Sequence, residues 1–128
     1  MIHRLIAALP AFALMGCVTL SPSSDPPTIV FFEGDSAALA APALEVVQGA
    51  VTAAARHPNA SVRVLGFADT DNSARFSQAL SRARAEHVAD VLRQAGVSAS
   101  RIRVSARGPV PFELTEQESR RVEIRLDE

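Results

Sequence analysis

Residues 66–88, GFADTDNSARFSQALSRARAEHV, run from the end of an apolar strand through a polar turn into a long helix. Just before them, SVRVLGF (61–67) sets Val62, Val64 and, less cleanly, Gly66 against Arg63 and Leu65, the period of two that marks a strand. Past Asp69, Asp71 and Asn72 the period becomes helical over about 73–95, and Gly96 caps the end. A helix fed by a strand packs on one face of the sheet, so it needs one apolar stripe. Phe76, Leu80, Val88 and Val91 supply that stripe, and Arg75, Arg82, Glu86 and Arg93 lie opposite. Arg84 breaks the pattern, because its direction falls within the apolar arc between Leu80 and Val88. Ser77 and Ser81 precede it on a similar bearing, so a polar seam is set into the packing face. A guanidinium there is costly unless it is hydrogen-bonded to an anion, and it grips a carboxylate with two parallel N–H bonds.

The remaining pattern supplies the rest of a small fold. TIVFFE (28–33) is β-branched and aromatic and ends at Gly34-Asp35, which predicts a buried strand. Ser36 is placed to cap a helix running to about Arg56, with Leu39, Leu44, Val47, Val51 and Ala54 on its inner face. Residues 101–106 alternate with Ile102 and Val104 inward, and Gly108-Pro109-Val110-Pro111 breaks the chain. Residues 118–126 form a last strand with Val122, Ile124 and Leu126 on one side and Arg121, Glu123 and Arg125 on a solvated side. The expected order is βαβαββ. It predicts an α+β two-layer sandwich, two helices on one face of a four-stranded mixed sheet.

The N-terminus has a different character. Residues 1–16 combine a basic start, an apolar run too short to span a bilayer and a closing Gly16, the layout of a signal peptide. Cys17 is the only cysteine, which excludes an intrachain disulfide. Leu14-Met15-Gly16-Cys17 resembles the bacterial lipobox, and the resemblance implies that Cys17 is lipidated with acyl chains such as palmitate. Acyl burial at about 0.8 kcal/mol per CH2 would hold the chain on a membrane without a spanning helix. Val18, rather than Asp, follows the cysteine, which by the same resemblance implies the outer membrane, on its periplasmic face. Residues 17–27 then read as lipidated Cys and a Ser/Pro tether, which ten extended residues stretch to at most about 35 Å, ahead of a domain at 28–128.

Loss of residues 1–16 removes Arg4 alone, so a formal charge of −1 becomes −2. That balance, with no Trp or Tyr, argues against a nucleic-acid partner. His57 and His87 have no second ligand at metal spacing, so no metal and no cofactor is expected. No Ser-His-Asp order, Cys nucleophile or phosphate loop is present, and Asp69 and Asp71 suit a turn better than an acid/base pair. The chain does not read as an enzyme.

Two readings of Arg84 follow from the residues. Asp69, just before the helix, is its nearest candidate partner, and the pair could simply pin loop to helix as a salt bridge. Alternatively, Asp69 would take a ligand ammonium and Arg84 a ligand carboxylate, with helix-start N–H groups assisting. Residues 66–88 resemble, without a gap, the signature G-H-T-D-x-x-G-x-x-x-Y-N-x-x-L-S-x-x-R-A-x-x-V. Gly66, Asp69, Leu80, Ser81, Arg84, Ala85 and Val88 match, and Phe76 replaces the Tyr. Residues 120–124 (RRVEI) resemble the closing N-R-R-V-E-I strand, and 32–36 (FEGDS) the opening F-D-F-D-S. The family is the OmpA-like C-terminal domain, of peptidoglycan-associated lipoprotein type.

The resemblance implies non-catalytic peptidoglycan binding, with Asp69 facing the ammonium and Arg84 the carboxylate of diaminopimelate in the stem peptide. It implies a lipoprotein tethering the outer membrane to the cell wall. Phe67, Ala68, Asn72, Ser77, Leu80 and Arg120 are expected to support the site. The chain departs from the signature at Phe67 (His), Ala68 (Thr), Asn72 (Gly), Ser77 (Asn) and Ser119 (Asn). Asn72 tolerates a left-handed turn better than most residues. Phe67 and Ala68 would make the rim more apolar, and if exposed they would suit a periplasmic protein partner. The alternative reading is therefore a membrane-anchored protein-interaction adaptor on the same scaffold, with Asp69 and Arg84 closed on each other.

Overall fold

The computed structural model describes residues 26–128. The expected signal peptide, Cys17 and the expected tether up to residue 25 lie outside the described residues. Strands β1 (Thr28–Phe31), β2 (Ser61–Ala68), β3 (Ile102–Pro109) and β4 (Arg121–Asp127) and helices α1 (Ala41–Arg56) and α2 (Ala74–Gln94) follow the order βαβαββ. Two 3-10 turns, Ala99–Arg101 and Glu116–Ser119, join them. The sheet order is β1-β4-β2-β3. β2 and β3 pair in parallel, which requires a crossover, and α2 provides it. β4 is antiparallel to both β1 and β2, so the sheet is mixed.

Both helices cover one face. Val30 and Phe32, Val62 and Val64, and Val122 and Ile124 meet Val47, Ala50 and Ala54 of α1 and Ala85, Val88 and Leu92 of α2. Every one of these core residues lies between Thr28 and Asp127, so residues 26–128 hold a closed core of their own. Gly66 decides how near α2 comes: a Cβ there would overlap the Ser81 carbonyl and press on Ala85. The helix lies almost on the β2 backbone at Gly66, where the small Ser81 and Ala85 meet it. Its buried face is Ser77, Ser81, Arg84, Ala85, Val88, Ala89 and Leu92. Phe76, expected inside, is 46% exposed because the close approach leaves no room for an aromatic ring. Ser73 caps the helix by accepting from Phe76 N at 3.2 Å, and Gly96 ends it at φ +105°.

Several boundaries differ from the sequence reading. α1 begins at Ala41, not after Ser36, because Pro42 fits only the first turn; in a helix begun at Ser36 its ring would strike the preceding turn. Ser36 Oγ instead accepts from Ala38 N at 2.9 Å and shapes a non-helical loop. With this start Leu44 is exposed, and Val47, Ala50 and Ala54 carry the inner face. β3 continues through the Gly-Pro pair to Pro109, with a register shift that leaves Arg107 outside the pairing. Pro109 is tolerated because β3 is an edge strand. β4 starts at Arg121, since residues before it fold into a 3-10 turn closed by a Thr115–Glu118 capping box. Among the described residues no helix is long and apolar enough to cross a membrane.

Candidate functional site

Arg84 is fully buried. Its side chain leaves α2 beneath the loop between β1 and α1 and donates three hydrogen bonds to backbone carbonyls. Nε reaches Ser36 O at 2.8 Å, Nη2 reaches Gly34 O at 2.6 Å and Nη1 reaches Phe67 O at 3.1 Å. The Phe32 ring centroid lies 5.3 Å from Cζ, within cation–π range. Three of five guanidinium N–H groups are thus placed, all on neutral acceptors. Burial pulls the Arg84 pKa below its ordinary value; the charge of Asp69 opposes this, Arg120 reinforces it and Asp35 opposes it. The loop after β1 stays extended rather than helical partly because its carbonyls serve this cation and, through Ala37 O, the His87 ring at 2.7 Å.

Asp69 stands at the end of β2, 4% exposed. Its Oδ1 accepts from Asp71 N at 3.2 Å, a local turn bond, and its Oδ2 accepts from Arg120 Nε at 2.9 Å. Arg120 also donates to Glu116 at 2.7 Å. The Asp69 hydrogen bond raises the Arg120 pKa, against a smaller opposing effect of burial. Of the two sequence readings of the pair, the closed salt bridge is not met. Asp69 and Arg84 are close enough to sense each other's charge but form no salt bridge. Nor do they open together into a cleft. Arg120, four residues after the Glu116 that it also grips, takes the partner role expected of Arg84. The Arg-Arg pair that opens β4 carried this signal in the sequence, but only the fold brings it beside Asp69.

The supporting positions divide. Phe67 and Ala68 do not form an exposed rim; both are buried, since β2 is a central strand with neighbours on either side. Phe67 lies on the sheet face away from the helices with the Arg121 guanidinium 4.0 Å above its ring, and Ala68 points under α2. Their carbonyls hold Arg84 and Val110 N. Asn72 adopts no left-handed conformation; its Nδ2 donates to Asp35 Oδ1 at 3.0 Å and ties the turn before α2 to the loop after β1. Ser77 is buried and its hydroxyl has no partner among the described residues. Leu80 is half-buried at the edge of the seam. Ser81, one turn on, accepts from Gly108 N at 3.1 Å and donates to Gln78 O at 2.8 Å. Among the described residues no group of three or more His, Cys, Asp or Glu side chains could hold a metal ion.

A mixed four-stranded sheet under two helices, with Asp and Arg of one signature at the strand–helix junction, defines an OmpA-like domain. The chain belongs to the OmpA family, whose pattern matches residues 31–125. It is 35% identical over 101 residues to a peptidoglycan-associated lipoprotein of Legionella pneumophila, covering 74% of this chain and 57% of that protein. It is 34% identical over 83 residues to the probable lipoprotein YiaD of Escherichia coli K12, covering 65% of this chain and 38% of that one. The match thus spans about half the length of these curated relatives or less. Among solved structures, the peptidoglycan-associated lipoprotein of Burkholderia pseudomallei superposes with a TM-score of 0.72 at 22% identity, covering 77% of this chain and 89% of that one. The periplasmic domain of Helicobacter pylori MotB superposes at 0.66 and 25% identity, covering 80% and 75%. These likenesses bear on the fold.

Proposed function

We propose that the domain binds peptidoglycan non-catalytically, gripping the zwitterionic end of diaminopimelate in the stem peptide, and so tethers a lipid-anchored envelope protein to the cell wall. Cys17 is the anchor in this reading, and the outer membrane, seen from the periplasm, is where it sits. The names of the Legionella and Escherichia relatives support the wall and lipoprotein parts of it.

The observation that carries the site is a buried cation with no anion in contact among the described residues. Arg84 is held by neutral carbonyls alone, although guanidinium prefers carboxylate. A ligand carboxylate would replace the Gly34 and Ser36 carbonyls as acceptor, exchanging neutral hydrogen bonds for charge-assisted ones. The loop after β1 must then move, because Arg84 is otherwise inaccessible. The ligand ammonium would share Asp69 with Arg120, and the unpaired Ser77 hydroxyl lies one turn before Ser81 on the same seam. The protein-adaptor alternative rested on exposure of Phe67 and Ala68, and both are buried.

Cosedimentation of residues 26–128 with diaminopimelate-type sacculi tests the reading. Asp69→Asn keeps the shape and the acceptor for Asp71 N while removing the charge. Wild type should pellet and Asp69→Asn should stay in solution. A folded wild type that stays in solution, or an Asp69→Asn variant that pellets equally, overturns it.

A further inference from the structure

The sheet face turned away from the helices carries a charge pattern that the wall site does not use. Alternation along β2, β3 and β4 turns Arg63, Arg103, Arg121 and Arg125 to this face, and Arg107 lines the same groove. Only two strand carboxylates, Glu123 and Asp127, oppose these five arginines. The register makes the pattern sharper. Arg63 stands directly opposite Arg125 on one side and Arg103 on the other, so three guanidinium groups lie in one row across adjacent strands. At a strand spacing of about 4.8 Å the row is about 10 Å long. Like charges placed directly opposite destabilise a sheet. Asp127 holds Arg63 and Glu123 holds Arg125 and Arg121, but Arg103 and Arg107 are exposed and make no ion pair with any described residue.

Arg63, Arg107, Arg125 and Glu123 rim a groove of about 580 Å³ whose floor includes Leu65, Phe67 and Val110. Phe31, on the neighbouring edge strand, is 45% exposed. The loop leaving Val110 exposes Phe112 and leaves Leu114 86% exposed. Glu113 stands between them, and Glu113 and Glu118 line a second groove with Arg121, so this loop is acidic and the uncompensated positive charge sits on the strands. A broad face of arginines in excess over carboxylates, two of the arginines without an ion pair among the described residues, suits a surface dense in phosphate. The sequence also places the chain's own anchor, Cys17, only ten residues before β1.

We infer that this face docks on the anionic lipid headgroups of the membrane to which the chain is anchored, with Arg103 and Arg107 engaging phosphates. The inference rests on the lipid-anchor part of the proposed function and not on the wall site, since it uses none of Asp69, Arg84 or Arg120.

Residues 26–128, which lack the anchor, are mixed with phosphatidylglycerol/phosphatidylethanolamine vesicles and with phosphatidylcholine vesicles, then floated. Binding to the anionic vesicles alone, weakening as salt rises, is expected. Arg103→Ala with Arg107→Ala should weaken it about thirtyfold, from about 1 kcal/mol per basic residue at the surface. Arg75→Ala with Arg82→Ala, on the exposed side of α2, should leave it unchanged. Neither pair touches the core, and circular dichroism is used to check that each variant is folded. The inference is overturned if wild type does not float, if it floats equally with phosphatidylcholine, or if the two variant pairs behave alike. It is also overturned if Arg103 and Arg107 govern sedimentation with sacculi instead, which would make the face a second wall contact.

Discussion

Replacing Arg84 by alanine should cost the fold more than any other single polar substitution in the seam. The side chain is fully buried and its three hydrogen bonds tie three segments together: α2, the end of β2 and the loop after β1. Hydrogen bonds from a charged donor contribute about 1.5–3 kcal/mol each, and losing them leaves the Gly34, Phe67 and Ser36 carbonyls to find other partners. The first and last lie at the loop surface, where water can replace the guanidinium, so the full sum is not lost. About 4 kcal/mol is the expected destabilisation, a large part of the roughly 5–15 kcal/mol of a domain this size. Arg84→Lys should recover only part, because one ammonium cannot span carbonyls from two separate segments. Urea unfolding followed by circular dichroism measures both variants, with the slope against denaturant checked for constancy. An Arg84→Ala variant within about 1 kcal/mol of wild type would refute the role assigned to these bonds. It would also mean that loss of wall binding in that variant reports the ligand contact alone.

Three further outcomes follow from the packing. Gly66→Ala should destabilise by about 3 kcal/mol or more in the same assay, because its Cβ would overlap backbone of α2 that cannot step aside locally. Ser77→Ala should stabilise by about 1 kcal/mol, since it removes a buried hydroxyl without a partner and improves helix propensity; a loss of stability would show that the hydroxyl is bonded after all. Glu123 is affected first by burial, which raises its pKa, but hydrogen bonds from Arg125 and Arg121 outweigh this and hold it below 4.5. A carboxyl depressed on folding contributes stability above its unfolded pKa and loses it as pH falls through the folded one. Stability should therefore fall below about pH 4.5, and Glu123→Gln should flatten that part of the curve, as read from unfolding midpoints at a series of pH values.

Much of this architecture is legible in the chain. The switch from a period of two to 3.6 at Asp69–Ser73 fixes the β2–α2 junction, and the alternation around Val62, Val122 and Ile124 fixes which sheet face the helices cover. Arg84 is recognisable as an inward charge because helical geometry alone puts it there. Its partners are not recognisable. Backbone carbonyls have no sequence signature, and two of the three belong to a loop nearly fifty residues earlier. Arg120 reaches Asp69 only because β4 inserts between β1 and β2, which no local pattern encodes. Phe67 reads as a surface change until the sheet order shows β2 in the interior, under Arg121. Pro42 was a readable signal for the start of α1, and it outweighs the capping potential of Ser36.

The most direct test of the zwitterion site is a titration of isotope-labelled residues 26–128 with a soluble stem peptide containing diaminopimelate, read by backbone amide shifts. Saturable shifts are predicted at residues 34–36, 69–72 and 119–120, with none in Asp69→Asn. A peptide carrying lysine in place of diaminopimelate lacks the second carboxylate and should shift them far less. Equal shifts with the lysine peptide, or shifts confined to other parts of the domain, would contradict a site built from Asp69 and Arg84.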